Sequence, residues 1–251
     1  MNQSNDQILN SFRYSMSFLS TIHFIHLQNV PIFEQLQLEE ALLRTESRNF
    51  CIVNHGSPRA IVMGISGQTE SLLDQEKVQK DQIPVIRRFS GGGTVIVDEE
   101  TLFITFIFSK DAIEVTPFPE SIFRWSEDLY VKAWGIPGFA LRENDYVIQD
   151  KKCGGNAQYI KKDRWLHHTS FLWNYRKENM KYLLLPAKRP KYREDRDHHE
   201  FLCSLKEHSS HTAADFFSLL QKELVKRFYI EPFDVQNWIH TPHRQTVKKI
   251  G

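Results

Sequence analysis

Only three cysteines, Cys51, Cys153 and Cys203, are spread over the 251 residues. They are too few and too scattered for a disulfide framework or a cysteine-rich zinc site, and they suit a reducing compartment. No stretch approaches the length of a membrane span and the start of the chain has no secretory pattern, so no membrane partner is expected. Net charge is nearly absent as well: 32 Lys and Arg against 31 Asp and Glu leave +1, which gives no reason to expect nucleic acid. Neither common phosphate fingerprint occurs, because no Gly-Lys-Ser/Thr closes a glycine loop and no spaced glycines open a helix. Internal repeats and long linkers are missing too. A chain of this length can bury a core as one domain.

What the chain does carry is Arg87-Arg88-Phe89-Ser90-Gly91-Gly92-Gly93-Thr94, two guanidiniums and three glycines leading into the apolar run Val95-Ile96-Val97. Consecutive glycines let successive backbone N–H groups turn inward and let a ligand approach the main chain. An adjacent arginine offers a planar charged fork for phosphate or carboxylate oxygens. The segment reads as an anion cradle or as a tight strand-to-strand turn with surface arginines. A second cluster begins at Asn144-Asp145-Tyr146-Val147-Ile148 and continues through Lys151-Lys152-Cys153-Gly154-Gly155-Asn156-Ala157. It reads either as a hairpin turning at Asp150 and the glycines, or as a strand end that sends Lys152 into the pocket of the first loop.

Hydrophobic periodicity predicts an α/β (α+β) fold, a central mixed β-sheet flanked by helices. A helix is expected over about Phe33 to Thr45 with Pro31 near its first turn, a second over Ile122 to Trp134, and a third opened by a capping box at Thr212 to Asp215. A similar spacing at Ser71 to Asp74 suggests another cap. Apolar β-rich runs at Phe50–Val53, Ala60–Met63, Val85–Arg87, Thr94–Val97 and Leu102–Phe108 are assigned to the central sheet, followed by Tyr146–Ile148, Ala157–Ile160 and Trp165–Trp173. The pairs His167-His168 and His198-His199 tempt a metal reading, but adjacent residues point apart on a strand or helix.

The segment Ile83 to Val95 with Asp98 resembles the signature loop of the lipoate protein ligase A family. Asn144-Asp145, Lys152, Gly155-Asn156-Ala157 and Leu166-His167-His168-Thr169-Ser170-Phe171-Leu172 resemble its later blocks in order. Upstream, Gln37 to Leu43 is similar to its first helix, and Ile61-Val62-Met63-Gly64 with Gln68 to its ligand-facing strand and turn. The resemblance implies the biotin/lipoate ligase catalytic-domain fold and ATP-dependent activation of lipoate to lipoyl-adenylate. The acyl group would then pass to a lysine of a lipoyl domain, of a 2-oxoacid dehydrogenase complex or the glycine cleavage H protein. It implies Lys152 as the catalytic lysine, and Arg88, Ser90, Gly91, Gly92, Gly93 and Thr94 as the loop that binds the carboxyl and phosphate end. Asp145 would contact Mg²⁺ or the nucleotide, with Asn144, Gly155, Asn156, Ala157 and His168 lining the site. ATP and Mg²⁺ are the implied cofactors, and lipoate the substrate.

The chain departs from that pattern at Val97, where the family usually has histidine, at Glu100-Thr101 in place of Gly-Asn, and in a turn, Ile65-Ser66-Gly67-Gln68, without an arginine. Beside the ligase stand two alternatives, an acyl transferase that takes a preformed donor, either an octanoyl carrier protein or lipoyl-adenylate, and a non-catalytic acyl or nucleotide binder, which the changes at Val97 and Glu100 favour. The carrier route needs a thiol, and Glu114 to Ser121, where relatives hold theirs, has none. A Gly-Arg-Gly-Arg loop of the biotin ligase type is missing. Cys153 reads as a core-facing side chain or as a thiol activated by Lys152. Lys188-Arg189-Pro190-Lys191 is a solvated loop or a surface that steers an acidic lipoyl domain, and in the resemblance Arg193 and Arg196 fall near a loop that precedes the family's helical tail, with an adenylate contact left open. Residues 1–25 are expected as a flexible N-terminal segment and 26–251 as one catalytic domain, the bacterial accessory C-terminal domain being absent or reduced. A cytoplasmic location is expected, or a mitochondrial or plastid one if the first residues, with Arg13, Phe12 and Phe18, are a presequence.

Overall fold

The computed structural model describes residues 19–187, 189–236, 238 and 242–250. Most of the expected presequence, and Lys188 of the basic stretch, therefore lie outside the described residues. In chain order the strands are β1 (Thr21–Gln28), β2 (Asn49–His55), β3 (Ala60–Met63), β4 (Val85–Arg87), β5 (Thr94–Val97) and β6 (Thr101–Ser109). They continue as β7 (Phe139–Arg142), β8 (Asp145–Ile148), β9 (Lys151–Ile160), β10 (Arg164–Leu172), β11 (Tyr229–Pro232) and β12 (Lys248–Ile250). The long helices are α1 (Ile32–Thr45), α2 (Pro119–Trp134) and α3 (Ala213–Leu224).

The strands make two sheets, one of eight in the order β11-β1-β2-β6-β10-β9-β8-β7 and one of four in the order β12-β4-β3-β5. This corrects the assignment of every early apolar run to one central sheet. β3, β4 and β5 pair with one another and with β12, and they stack their own apolar face on α1 and the large sheet through Val62, Ile86 and Val97. The large sheet is mixed: β1 runs parallel to β2 and β11, while β2, β6, β10, β9, β8 and β7 alternate antiparallel. Residues 21–25, assigned above to a flexible N-terminal segment, belong to β1, and Ile22, His23 and Phe24 pair on both sides. Beyond Ser209 the chain adds α3 and then two strands, β11 on the large sheet and β12 on the small one.

Helix ends follow their local chemistry. Pro119 occupies the first turn of α2, and Gly135 closes it at φ 60°, the left-handed cap glycine adopts cheaply. Thr212 and Asp215 form the reciprocal capping box at α3. The cap expected at Ser71 is absent: Ser71 donates to Gln68 O, and Asp74 caps the next short helix by accepting from Lys77 N. No described helix is long and apolar enough to cross a membrane.

One face of the large sheet packs α2 and α3 around Tyr130, Trp134, Tyr146, Phe171 and Phe216, and the other packs α1 and the small sheet. In the first core Trp134 stacks on Tyr130 at 4.7 Å and meets Phe171 and Phe216 edgewise or tilted at 4.9 Å. Gly154 lies against Phe171, where an added Cβ would stand 2.6 Å from the ring. Gly154→Ala is therefore expected to cost about 1–3 kcal/mol through overpacking, read as a lower urea midpoint; an unchanged midpoint would contradict this packing.

His167 sits in the same core, fully buried, accepting from Gln158 Nε2 at Nδ1 (3.1 Å) with Ser126 Oγ at 3.1 Å from Nε2. Burial, reinforced by neighbouring His168, lowers its pKa from 6.5 to about 3. The unfolded chain therefore binds this proton below 6.5 while the folded chain refuses it until about 3, so stability falls as pH drops through that window. Urea unfolding of wild type beside His167→Gln at stepped pH should show that part of the acid sensitivity lost in the variant; parallel curves would refute it.

Candidate active site

The site forms where the β4–β5 loop lies on β9. Arg88 Nη2 donates to Gly91 O and Gly93 O, both at 2.9 Å, and knits the loop into a closed ring. Gly92 sits at φ +112°, and a Cβ there would stand 2.6 Å from Arg88 Nη2 and 3.1 Å from Asn156 O. Only glycine satisfies both the backbone and the space. A Cβ on Gly64 would come within 2.2 Å of Gly92 O, so the turn after β3 packs backbone to backbone on the loop. Ile65 N to Ser90 O (3.0 Å) and Gly64 N to Gly93 O (3.2 Å) close that seam. Gly91 and Gly93 face open space, with nothing within 4 Å of an added Cβ. Phe89 anchors the loop against Tyr159 of β9, ring centres 5.5 Å apart.

Arg88 thus differs in part from the expected anion fork. It is 5 % exposed and spends Nη2 and Nε on loop carbonyls, and burial, opposed by Glu39, lowers its pKa to about 10. Its first duty is to shape the loop. Ser90 is buried beneath it, and Thr94 Oγ1 is a buried hydroxyl that meets no described partner.

On β9, Lys152 Nζ lies 2.8 Å from Asp145 Oδ1. Tyr192 Oη donates to Asp145 Oδ2 at 2.9 Å. A β-bulge makes the Lys152 contact. Tyr146 pairs with Gly154, yet Val147 pairs with Lys152, which leaves Cys153 as the extra residue. In an unbroken ladder Lys152 would oppose Ile148 and point into the aromatic core; the extra residue turns it to the face of Asp145, Gly155, Ala157 and His168. Gly155 then gives it room, since a Cβ there would stand 3.2 Å from Lys152 Nζ. The chain turns at Gln149 and Asp150, as the hairpin reading has it, but both glycines lie inside β9 and not in the turn.

His168 stands on the same face, opposite Ala157. Its Nδ1 lies 2.9 Å from Glu39 Oε1 and 2.9 Å from Thr105 Oγ1. Glu39 is wholly buried and also accepts from Thr105 Oγ1 and Gln35 Nε2, each at 2.8 Å. Asn54 Nδ2 donates to Gln35 Oε1 and extends the line. Glu39 and Tyr192 are the site residues that sequence reasoning missed. For Glu39 a signal existed: it occupies the apolar stripe Ile32, Leu36, Glu39, Leu43 of an amphipathic helix, a position at which a carboxylate needs a partner.

Asn144 and Asn156 meet each other at the rim, Asn156 Nδ2 donating to Asn144 O at 3.0 Å. Thr169 Oγ1 donates to Asn156 Oδ1 at 2.7 Å. Arg193 and Arg196 bond within their own segment, Arg193 Nε to Arg196 O at 3.1 Å, and Arg196 Nη1 ties it to Asp150 Oδ2 at 3.0 Å. They hold the 190–203 strap against the β8–β9 hairpin.

Cys153, the bulge residue, faces the aromatic core, and burial drives its thiol well above the ordinary range. It is a packing residue, not an activated thiol. Val97 is buried in the core under α1, and Asp98 is fastened in place by accepting from Glu100 N of its own turn and from Asn179 Nδ2 of the distant Lys177–Tyr182 segment. No group of three His, Cys, Asp or Glu that can hold a metal occurs among the described residues. With both Asp145 oxygens engaged by Lys152 and Tyr192, a cation held by protein alone does not fit. One brought in with nucleotide phosphates, needing at most one Asp145 oxygen, does.

A family model of the lipoyl protein ligase A/B catalytic domain matches residues 31–225. Among curated relatives, an inactive lipoate–protein ligase 2 of Plasmodium falciparum is 29 % identical over 246 residues, covering 75 % of this chain and 64 % of its own length. Lipoate–protein ligase 1 of the same organism is 29 % identical over 130 residues, covering 52 % of this chain and 30 % of its own. This chain spans less than two thirds of the length of these relatives. Among solved structures, a bi-partite lipoate protein ligase from Thermoplasma acidophilum, described with its E2 lipoyl domain, superposes with TM-score 0.71 at 18 % identity, covering 87 % of this chain and 89 % of that one. A lipoate-protein ligase A bound with ATP gives TM-score 0.68 at 17 % identity, covering 87 % and 91 %. The match of the family model over most of the chain, and the shared fold, make this protein a member of the lipoyl protein ligase A/B catalytic-domain family.

Proposed function

We propose that this protein activates lipoate with MgATP to lipoyl-adenylate and transfers the acyl group to a lysine of a lipoyl domain. The observation that carries the reading is the Lys152 ammonium, turned out of the core by the bulge, held by Asp145 and laid across Gly155 beside the glycine loop. Lipoate's carboxylate and the α-phosphate are both anions. A fixed cation between them offsets their repulsion as the carboxylate oxygen attacks phosphorus and pyrophosphate leaves. The same cation then polarises the carbonyl of the mixed anhydride while an amine attacks it. The open space beside Gly91 and Gly93 leaves room for phosphate oxygens to approach the loop backbone, and Mg²⁺ enters as part of the nucleotide substrate. Acceptors of the right kind are the lipoyl domains of 2-oxoacid dehydrogenase complexes and the glycine cleavage H protein.

A second reading, transfer from lipoyl-adenylate made elsewhere, is favoured by one feature. The segment after the glycine loop is structural, with Val97 in the core and Asp98 bound to Glu100 N and Asn179 Nδ2. A carrier-protein thioester route has less support, because Cys153 lies on the opposite face of β9 from Lys152.

Lipoate-dependent pyrophosphate release from MgATP, followed by lipoyl-domain modification, separates these readings. Wild type should release pyrophosphate, and Lys152→Ala should lower that rate by about 100-fold or more. Absence of release by wild type, with transfer from supplied lipoyl-adenylate intact, would replace the ligase with the transferase.

A further inference from the structure

Aminolysis needs a base that the reading above does not supply. An acceptor lysine, with an ordinary pKa of about 10.4, arrives as an ammonium without a lone pair. Lys152, as the cation of its salt bridge, donates and does not accept, and both Asp145 oxygens are engaged. Lys152 therefore cannot take the incoming proton, and protonating Asp145 would break the ion pair that holds Lys152 in place.

We infer that His168 is the general base that deprotonates the acceptor lysine, and that buried Glu39 is the positioning residue that sets its tautomer. This inference rests on the acyl-transfer half of the proposed function, which both readings of the protein share. Glu39 Oε1 receives Gln35 Nε2, Thr105 Oγ1 and His168 Nδ1 within 2.8 to 2.9 Å. Thr105 Oγ1 spends its one hydrogen on Glu39 Oε1, so neither of the two oxygens nearest His168 Nδ1 has a hydrogen to give it. Nδ1 must then carry the hydrogen, and the neutral ring keeps its lone pair on Nε2. No described residue bonds Nε2, and it is absent from the buried atoms without a partner, so the 7 % of His168 that remains exposed leaves this nitrogen open. The register places the ring on the face that carries Lys152: His168 opposes Ala157, Ser170 opposes Gly155, and Lys152 lies across Gly155. An imidazole held by a buried carboxylate at one nitrogen and open at the other is the arrangement that hydrolytic triads use to accept a proton.

The step balances as follows. Nε2 takes one proton from the acceptor ammonium, and Glu39 stabilises the imidazolium through Nδ1. The freed lone pair forms the C–N bond at the anhydride carbonyl. The C–O bond to phosphate breaks with its electron pair on the departing AMP, and the second N–H proton is lost to water. The groups that bear on His168 are Glu39 and Gln35 from α1, Thr105 from β6, His167 beside it on β10, Arg88 acting through Glu39, and Lys152 with Asp145 along β9 and β8.

The test supplies lipoyl-adenylate directly and compares wild type with His168→Gln, using a lipoyl domain or hydroxylamine as acceptor. Hydroxylamine is already neutral at neutral pH and needs no base. Lipoyl-domain modification should fall by about 100-fold or more in the variant and recover as pH rises, while hydroxamate formation should fall by no more than about tenfold. Wild-type transfer by the variant, or equal losses with both acceptors, would overturn the inference. A wild type that releases no pyrophosphate from MgATP but uses supplied lipoyl-adenylate would sink the ligase reading alone. Failure of wild type to use supplied adenylate would remove both.

Discussion

The ion pair between Lys152 and Asp145 organises the candidate site, and a single extra residue in β9 creates it. Strand alternation would otherwise place Lys152 beside Ile148, where its charge would meet the aromatic core of Tyr130, Tyr146 and Phe171. Burying an unpaired ammonium there is costly enough that the strand would shift or the fold would fail. With Cys153 bulged toward that core, the charge emerges on the opposite face at 2.8 Å from its carboxylate. The rest of the site is arranged around it: Tyr192 on the far oxygen of Asp145, a missing side chain at Gly155, and the glycine loop pinned beside β9 by Phe89.

A second polar line runs beneath the site from Asn54 through Gln35 and Glu39 to His168. It crosses a core that is otherwise Leu36, Leu43, Phe50, Phe103 and Ile107. Such a network is stabilising only when every member is satisfied. Here the carboxylate collects three donors and the one open atom faces the site, so α1 both fills the core and sets the histidine.

Much of this was legible in the sequence. The three long helices, the capping box at Thr212 and the chain segments of most strands follow from periodicity and local chemistry, and the family blocks bring Lys152, Asp145, Gly155, Ala157 and His168 to one face. The split into two sheets was not legible, because an apolar run does not state which neighbour it pairs with. The bulge was invisible for the same reason: register belongs to a pair of strands, and Cys153 looks unexceptional alone. Arg88 illustrates a different limit. Its charge suggests a ligand, but its burial and its bonds to Gly91 and Gly93 appear only once the loop closes. β1 went unread because His23 and His26 interrupt its apolar residues Ile22, Phe24, Ile25 and Leu27.

The claim that bulge and glycine together place Lys152 is tested most directly by Gly155→Ala, assayed for transfer from saturating lipoyl-adenylate alongside its thermal unfolding. An added Cβ would stand 3.2 Å from Nζ, at the flexible end of a side chain that can move aside without disturbing the core. The account predicts a folded protein of nearly unchanged melting temperature whose transfer rate falls by about tenfold or more as Lys152 is pushed off its position. A variant equally stable and equally fast would show that the position of Lys152 across Gly155 is not what the chemistry depends on.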